Sequence, residues 1–485
     1  MFRSNSIPTR AGRPRPRVAL AGLALSFAIA LSGTDQARTD SLRPELEPDE
    51  IVQIRIQARP AEKFVDSMGI NVHMESAQTP YGNYPFINRS LRALGMRHFR
   101  DEINDTRPAF VAEINAIGKL GYSLCGLIEG GNDYPPRGTK LKSGAVVPMI
   151  EHLLPTLEAI EGPDEPDHRS FRYDGVHYPQ GAINESRDLW NIVKGNPRIR
   201  TLPVVVMSEA SAPDFKRLAA ITPPPIHYAN FGNMHAYQGG DVGDGRGETS
   251  LSHWYIPYSR KLSATDALWT TEMGYHNNTR YLSNGEQQGV SERASAIYLP
   301  IAFLSGFNRG VVETFAYELV DEFDPCRFTG SGEGHYGLLN YYGTPKPAFG
   351  TLKNLIAILG EPGGKQFEPG WLDATFSGAP LTMGYTLLQK STGDYDLALW
   401  NDVRVYQIAT DRKPGKDLYP RLIPITIAFP QAQDVVVYAP NDPTGVNPTK
   451  AYTIATTSRS ITLNLPPKVL LLKIHPPGDP ANGIE

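Results

Sequence analysis

Over about 290 residues, short apolar runs alternate with stretches in which apolar residues recur at three- and four-residue spacing. The strand-like runs are Gly69–His73, Met96–Arg100, Tyr122–Ile128, Leu157–Glu161, Leu202–Met207, Asn230–His235, Ala267–Thr271 and Gly310–Phe315. Between them the helical period predicts Asn88–Leu94, Pro108–Leu120, Ile183–Val193, Ala212–Ala219 and Ser291–Leu304, and Phe349–Leu359 follows the last run. Eight runs separated by helices predict an α/β protein whose residues 66–359 form a (β/α)8 TIM barrel. An open doubly wound sheet is the competing arrangement. It is disfavoured because no Gly-x-Gly-x-x-Gly follows the first run, and because polar residues cluster after several different runs.

The pattern changes at Gly360-Glu-Pro-Gly-Gly364. Beyond it, Asp396–Trp400, Ile425–Phe429, Asp434–Tyr438, Tyr452–Thr456 and Ser460–Ile474 are β-rich and punctuated by Pro, Gly, Asn and Asp. A C-terminal β-sandwich domain over 360–485 is expected, braced against the barrel rather than serving as a separate binding module. The segment 51–65 opens with Ile51–Gln57, whose period of two predicts one more strand for that sandwich.

At the N-terminus, Arg3, Arg10, Arg13, Arg15 and Arg17 precede an apolar run from Val18 to Leu31, too short to span a bilayer core of about 30 Å. Residues 1–30 therefore read as a signal peptide with a small-residue cleavage site at Ala28-Ile-Ala30, and 31–50 as a flexible leader. Cleavage would remove five Arg and no acid, taking the charge from −4 to −9 (−4 − 5). The expectation is an exported protein, secreted or periplasmic, with no stable membrane insertion after cleavage.

The chain has 485 residues, 40% hydrophobic and 20% charged, enough for a large core. Its charge of −4 supplies no broad positive field for nucleic acid. Two cysteines, Cys125 and Cys326, exclude a disulfide-dense scaffold and leave pairing open. There is no nucleophile elbow, no phosphate loop and no His-Glu-x-x-His, and the eleven histidines lack dense metal-ligand spacing. No metal and no cofactor are expected, and nothing here sets the oligomeric state.

Two segments carry chemistry. Leu157–Asp167 places Glu165 past the fourth run, and Trp269–Tyr275 places Glu272 past the seventh, so in a parallel barrel both carboxylates reach the C-terminal rim. Two carboxylates in unlike environments can cleave an acetal without a metal, one protonating the leaving oxygen and one set against the anomeric carbon. Glu161-Gly-Pro-Asp-Glu-Pro166 resembles the fourth-strand Asn-Glu-Pro signature of clan A glycoside hydrolases, and Thr270-Thr-Glu-Met-Gly-Tyr275 resembles their seventh-strand nucleophile segment. His235-Ala-Tyr237, Arg100, Tyr336-Gly-Leu-Leu and Thr344–Phe349 add further matches, running within the clan to family 39 and its relatives.

The resemblance implies a retaining enzyme acting on an oligo- or polysaccharide with β linkages. Glu165 would be the acid/base, Glu272 the nucleophile, and Arg100 and Tyr237 would lie beside the nucleophile. His235 is expected in the pocket, and Tyr317 as an aromatic wall for a sugar ring. Asp164 departs from the clan's Asn, and an ionised Asp can only accept hydrogen bonds. With Glu161 and Glu165 it would crowd three acids on one rim, which favours a protonated Glu165. A carbohydrate-binding protein on a degenerate barrel, and a transglycosylase, are the alternative readings.

Overall fold

The computed structural model describes residues 52–475, apart from 104–106, 129–140, 142–143, 145, 169–170, 211, 222–223, 225, 284–285, 328, 441–450 and 453–457. The expected signal peptide and leader lie outside the described residues.

After a first strand, β1 (Val52–Gln57), seven parallel strands and their helices follow in order. The first four strands are β2 (Met68–Asn71), β3 (His98–Glu102), β4 (Ser123–Leu127) and β5 (Leu157–Glu161). They continue as β6 (Val204–Val205), β7 (Trp269–Met273) and β8 (Glu313–Ala316), which completes a seven-stranded sheet in the order β7-β8-β2-β3-β4-β5-β6. The expected sixth run forms no ladder. Its residues make isolated parallel bridges, Val205↔Phe231 on one side and Gly232↔Leu268 and His235↔Glu272 on the other. These bridges carry the pairing from β6 back to β7, so the sheet is barrel-like.

The intervening helices are α1 (Tyr84–Leu94), α2 (Pro108–Gly118), α3 (Val146–Leu153), α4 (Gln180–Gly195), α5 (Ala212–Ala219), α6 (Ile256–Ser263), α7 (Glu292–Asn308) and α8 (Pro347–Leu359). Helix α1 begins four residues before its apolar period because the Asn83 side chain accepts from the Phe86 amide and Pro85 sits in the first turn. Two helices, α3 and α6, were not expected. Helix α7 is apolar all round, with Ala294–Phe307 buried, because it packs between the parallel sheet and the C-terminal strands.

The C-terminal region supplies β9 (Trp371–Ser377), β10 (Met383–Gln389), β11 (Tyr395–Asn401), β12 (Ile423–Tyr438), β13 (Ser458–Leu465) and β14 (Leu470–His475). Strand β1 pairs with β9, joining the N-terminal strand to this mixed sheet. Two expected strands, Ile425–Phe429 and Asp434–Tyr438, are one continuous strand whose register with β13 slips between Ala428 and Gln433 around Pro430. Conversely Ser460–Ile474 is two strands, because Pro466 and Pro467 cannot donate to a ladder. Tyr452–Thr456 lies mostly outside the described residues. Alternation along β13 and β12 aims Ile461, Leu463, Ile425 and Ile427 into a second core with Phe376 and Leu399.

Cys125 is buried in β4, Cys326 is exposed, and no disulfide joins them.

Candidate active site

Inside the parallel sheet, Cys125, Ala159, Val205, Trp269 and Phe315 pack with Phe231 into an apolar plug drawn from several strands. Two residues further along three of these segments stand Glu161, Thr271 and Asn233, which the strand period brings to the same face one rung higher. They form a polar layer on top of the plug, closed by Asn71 from β2 and Arg100 from β3.

Arg100 is the hub. Its Nε and Nη2 donate to Glu161 at 2.7 and 3.1 Å, Nη1 donates to Glu272 Oε1 at 2.7 Å and Asn71 Oδ1 at 2.9 Å, and Nη2 also reaches Asp164 Oδ1 at 2.7 Å. Burial of a guanidinium at 3% exposure costs several kcal/mol and is offset here by three carboxylates. Glu161 is fully buried and also accepts from Asn233 Nδ2 and Thr271 Oγ1, each at 2.9 Å. The expected crowding of three acids on one rim is thus corrected: Glu161 lies beneath the rim as the buried counter-ion of Arg100.

Glu272 lies within β7 rather than past it. Adjacent residues of a regular strand point to opposite faces, yet Thr271 and Glu272 both bond inward. The pairing of β7 with β8 shifts register between Thr270 and Met273, and that irregularity turns both side chains to the interior. Glu272 Oε2 accepts from the Tyr237 hydroxyl at 2.7 Å. Burial pushes the Glu272 carboxyl above the ordinary carboxylate value, against the pull of His235 and Arg100.

Glu165 is reached by a tight exit from β5. A Cβ on Gly162 would stand 2.2 Å from the Ile128 carbonyl oxygen, so only glycine fits there. Glu165 itself adopts φ 38°, in the left-handed region that a residue with a Cβ occupies at a cost of about 1–3 kcal/mol. Its amide reaches Ser208 Oγ at 3.3 Å, and its Oε1 meets His235 Nδ1 at 2.7 Å.

His235 is 3% exposed, with Nδ1 also 3.4 Å from Glu272 and Nε2 3.8 Å from Asp164. Burial alone would lower its pKa, but Glu272, Glu165 and Asp164 outweigh that and lift it to about 9. At neutral pH it is an imidazolium lying between Glu165 and Glu272. One oxygen each of Glu165 and Glu272 and a nitrogen of His235 all lie within 4.8 Å of one another.

A cleft of about 530 Å³ opens over this group, within the range of ligand sites. Arg100, Asp164, Glu165, Tyr237, Glu272 and Tyr317 line it, whereas His235 supports it from behind. Tyr336, which entered the sequence analysis only as part of a family match, completes an aromatic wall: its ring lies 5.3 Å from Tyr317 and 5.8 Å from Tyr237, both edge-on. Asn71, Asn233 and Thr271 were also missed. The available signal was polar residues at inward positions of otherwise apolar runs, two residues apart in Asn233 and His235.

No family model matches the chain, and no curated protein matches it. Among solved structures, the family 39 glycoside hydrolase (GH39) enzyme from Xanthomonas axonopodis pv. citri superposes with TM-score 0.54 at 12% identity, covering 87% of this chain and 96% of that one. A monomeric beta-xylosidase from Caulobacter crescentus CB15 gives 0.53 at 13% identity, over 87% and 98%. A family 39 glycoside hydrolase from the gut symbiont Bacteroides cellulosilyticus WH2 gives 0.51 at 14% identity, over 86% and 81%. The fold of this chain, a barrel-like parallel α/β sheet with a C-terminal sheet domain, is the fold of family 39 glycoside hydrolases.

Proposed function

We propose that the chain is a retaining glycoside hydrolase built on a (β/α)8 barrel, cleaving β-linked glycans by double displacement. The observation that carries this reading is the approach of Glu165 and Glu272 to within 4.8 Å across one cleft. Retaining enzymes hold their two carboxyl groups about 5–5.5 Å apart, whereas inverting enzymes leave room for water at about 6.5–9.5 Å.

Glu272, fixed by Arg100 and Tyr237, attacks the anomeric carbon while Glu165 protonates the leaving oxygen. The His235 imidazolium, 2.7 Å from Glu165, keeps a proton within reach of that oxygen. Glu165 then deprotonates water, which releases the sugar from Glu272. Asp164, Arg100 and Tyr317 face the bound sugar's surroundings, and Tyr317 with Tyr336 offers ring faces and edges to its C–H surface. Transglycosylation uses the same two carboxylates and differs only in the acceptor. Export, read from residues 1–30, belongs to this proposal and is checked by recovering a shortened chain outside the cytoplasm.

The test is a Glu272→Gln variant with proton NMR of the products. Glu272→Gln should lower turnover by about 10⁴-fold or more, and the wild-type enzyme should first release the anomer of the substrate's own configuration. Near-normal turnover by that variant, or inversion by the wild type, defeats the proposal.

A further inference from the structure

One wall of the cleft is a loop rather than a strand end. Beyond β8 the chain sets out at Asp321 and returns at Gly337, and between these points Glu322, Phe323, Glu333 and Tyr336 line the cavity. Tyr336 stands edge-on to both Tyr317 and Tyr237, and the Tyr237 hydroxyl donates to Glu272. The loop therefore borders the space in front of Glu272, and its placement sets the width of the cleft there.

Two sets of bonds hold this loop. Its tip is tied to the segment after β7: Glu286 accepts from Ser331 Oγ at 3.0 Å and from the Gly332 amide at 2.6 Å, and Asn278 Nδ2 donates to the Thr329 and Ser331 carbonyls at 3.1 and 2.9 Å. Its neck is closed by a buried ion pair. Lys346 Nζ donates to Asp321 Oδ1 at 2.8 Å and to the His335 carbonyl at 3.0 Å, and the same Oδ1 accepts from the Gly337 amide at 2.7 Å. The Asp321 amide donates to the Leu339 carbonyl at 2.9 Å, and a Cβ on Gly337 would collide with that amide, so the two limbs pass as closely as backbones can. Glu333 and Tyr336 lie on the stretch between tip and neck, and Glu322 and Phe323 follow Asp321 directly.

Both charges of the neck stand where they cost free energy. Lys346 is the N-cap residue of α8, an end at which the helix dipole disfavours a cation, and at 6% exposure it is the only buried lysine among the described residues. Asp321 is 2% exposed, and burial pushes its carboxyl up to about 6 against the pull of Lys346 and the Gly337 amide. A folded-state pKa above the unfolded 3.8 contributes stability that is complete below 3.8 and lost as pH rises through about 6, so ionised Asp321 does not brace the fold at neutral pH. Its visible effect, with Lys346, is to fix the His335 carbonyl and the Gly337 amide on the returning limb. We propose that Lys346 is a positioning residue for the glycan: acting through Asp321 and His335, it holds loop 321–337 so that Glu322, Phe323, Glu333 and Tyr336 form the cleft wall. This role rests on the glycan-cleaving function proposed above, and adds to it a residue outside the cavity lining on which affinity depends.

The experiment uses the full-length protein and its Lys346→Met variant. Steady-state kinetics are measured on 4-nitrophenyl β-glucoside and β-xyloside, and binding of the matching β-1,4-linked tetrasaccharides is measured by calorimetry with Glu272→Gln present to prevent turnover. Lys346→Met should raise KM and the tetrasaccharide Kd by about tenfold while kcat falls less than about threefold. A merely structural role would instead lower kcat through loss of folded enzyme and leave KM alone. A double-mutant cycle with Tyr336→Ala sharpens the test: because Lys346 acts through the wall that Tyr336 belongs to, the double variant should stay within about twofold of the larger single effect on Kd. An unmoved KM and Kd, or effects of Lys346→Met and Tyr336→Ala that multiply, overturn the proposal. If Lys346→Met does not fold, Lys346→Met/Asp321→Leu, which removes both buried charges together, is held to the same criteria. Turnover with retention and a KM indifferent to Lys346 would sink the positioning role and leave the hydrolase reading standing. Tetrasaccharide binding weakened by Lys346→Met, with neither glycoside cleaved by the wild type, would do the reverse, and no binding or turnover at all would overturn both.

Discussion

At the scale of single residues, the proton inventory of the cleft makes a pH prediction. In the proposed mechanism Glu272 must be ionised to attack, and burial holds its pKa above the ordinary 4.5, so kcat/KM should fall as pH drops through a value higher than 4.5. His235 carries its proton up to about pH 9. Above that value Glu165 loses its cationic neighbour, so an alkaline limb near 9 is expected, and His235→Gln should displace it. A profile identical in wild type and His235→Gln would remove His235 from the proton inventory. Glu165→Gln should lower kcat by about 10²–10⁴-fold on sugar leaving groups and far less on a dinitrophenyl glycoside, which leaves without protonation. Equal losses on both would place Glu165 outside the acid step.

At the scale of elements, the opposite end of the parallel sheet is held by an ion cluster rather than a site. His98 opens β3 and meets Glu158 of β5 at 2.7 Å, Asp66 at 3.3 Å and Glu313 of β8 at 3.8 Å, so it ties three strands at their N-terminal ends. Burial pulls the His98 pKa down, but Asp66, Glu158 and Glu313 raise it to about 10. A folded-state pKa above the unfolded 6.5 contributes stability that is complete below pH 6.5 and is lost as pH rises through about 10. Asp66, lowered to about 2 chiefly by His98, contributes stability present above 3.8 and lost as pH falls through about 2. His98→Gln should therefore cost on the order of 2 kcal/mol at pH 6–7 by denaturant melts, and markedly less at pH 10.5. An equal loss at both pH values would show packing, not charge, as the cause.

At the scale of the whole molecule, the C-terminal strands and the parallel sheet share one core. Leu388, Ala398, Trp400, Val405, Tyr406 and Leu471 belong to the same apolar cluster as helices α7 and α8. The Tyr298 hydroxyl of α7 accepts from the Val405 and Tyr406 amides at 2.7 and 3.1 Å, and Asn308 bonds the Tyr385 carbonyl and Thr386 hydroxyl. Arg59 places its guanidinium over the Phe307 ring and donates to the Phe307 carbonyl at 2.6 Å. The two parts should unfold together. Trp400→Ala, at a residue 1% exposed, should cost about 3–5 kcal/mol and lower a single calorimetric transition. Two separated transitions, with only the later or earlier one moved, would contradict the shared core.

The period of apolar residues was enough to place most of the strands and helices, because burial on one face is written directly into spacing: β3, β5, β7 and α7 stand within a few residues of their runs. It was also enough to place Glu165 and Glu272 past the fourth and seventh runs, whereas Arg100, His235 and Tyr237 were singled out by the resemblance to clan A glycoside hydrolases. Spacing could not join Ile425–Phe429 to Asp434–Tyr438, because a register slip around Pro430 is a property of the pairing with β13. Nor could it show that Thr271 and Glu272 both turn inward, which depends on the irregular pairing of β7 with β8. The roles of Glu161, Asn71 and Asn233 as partners that neutralise or hold Arg100 and its neighbours were equally hidden. A carboxylate's partners lie on other strands, and only folding sets them within 3 Å. The sequence thus named the candidate groups, while the three-dimensional pairing decided which of them are held by Arg100 and which line the cleft.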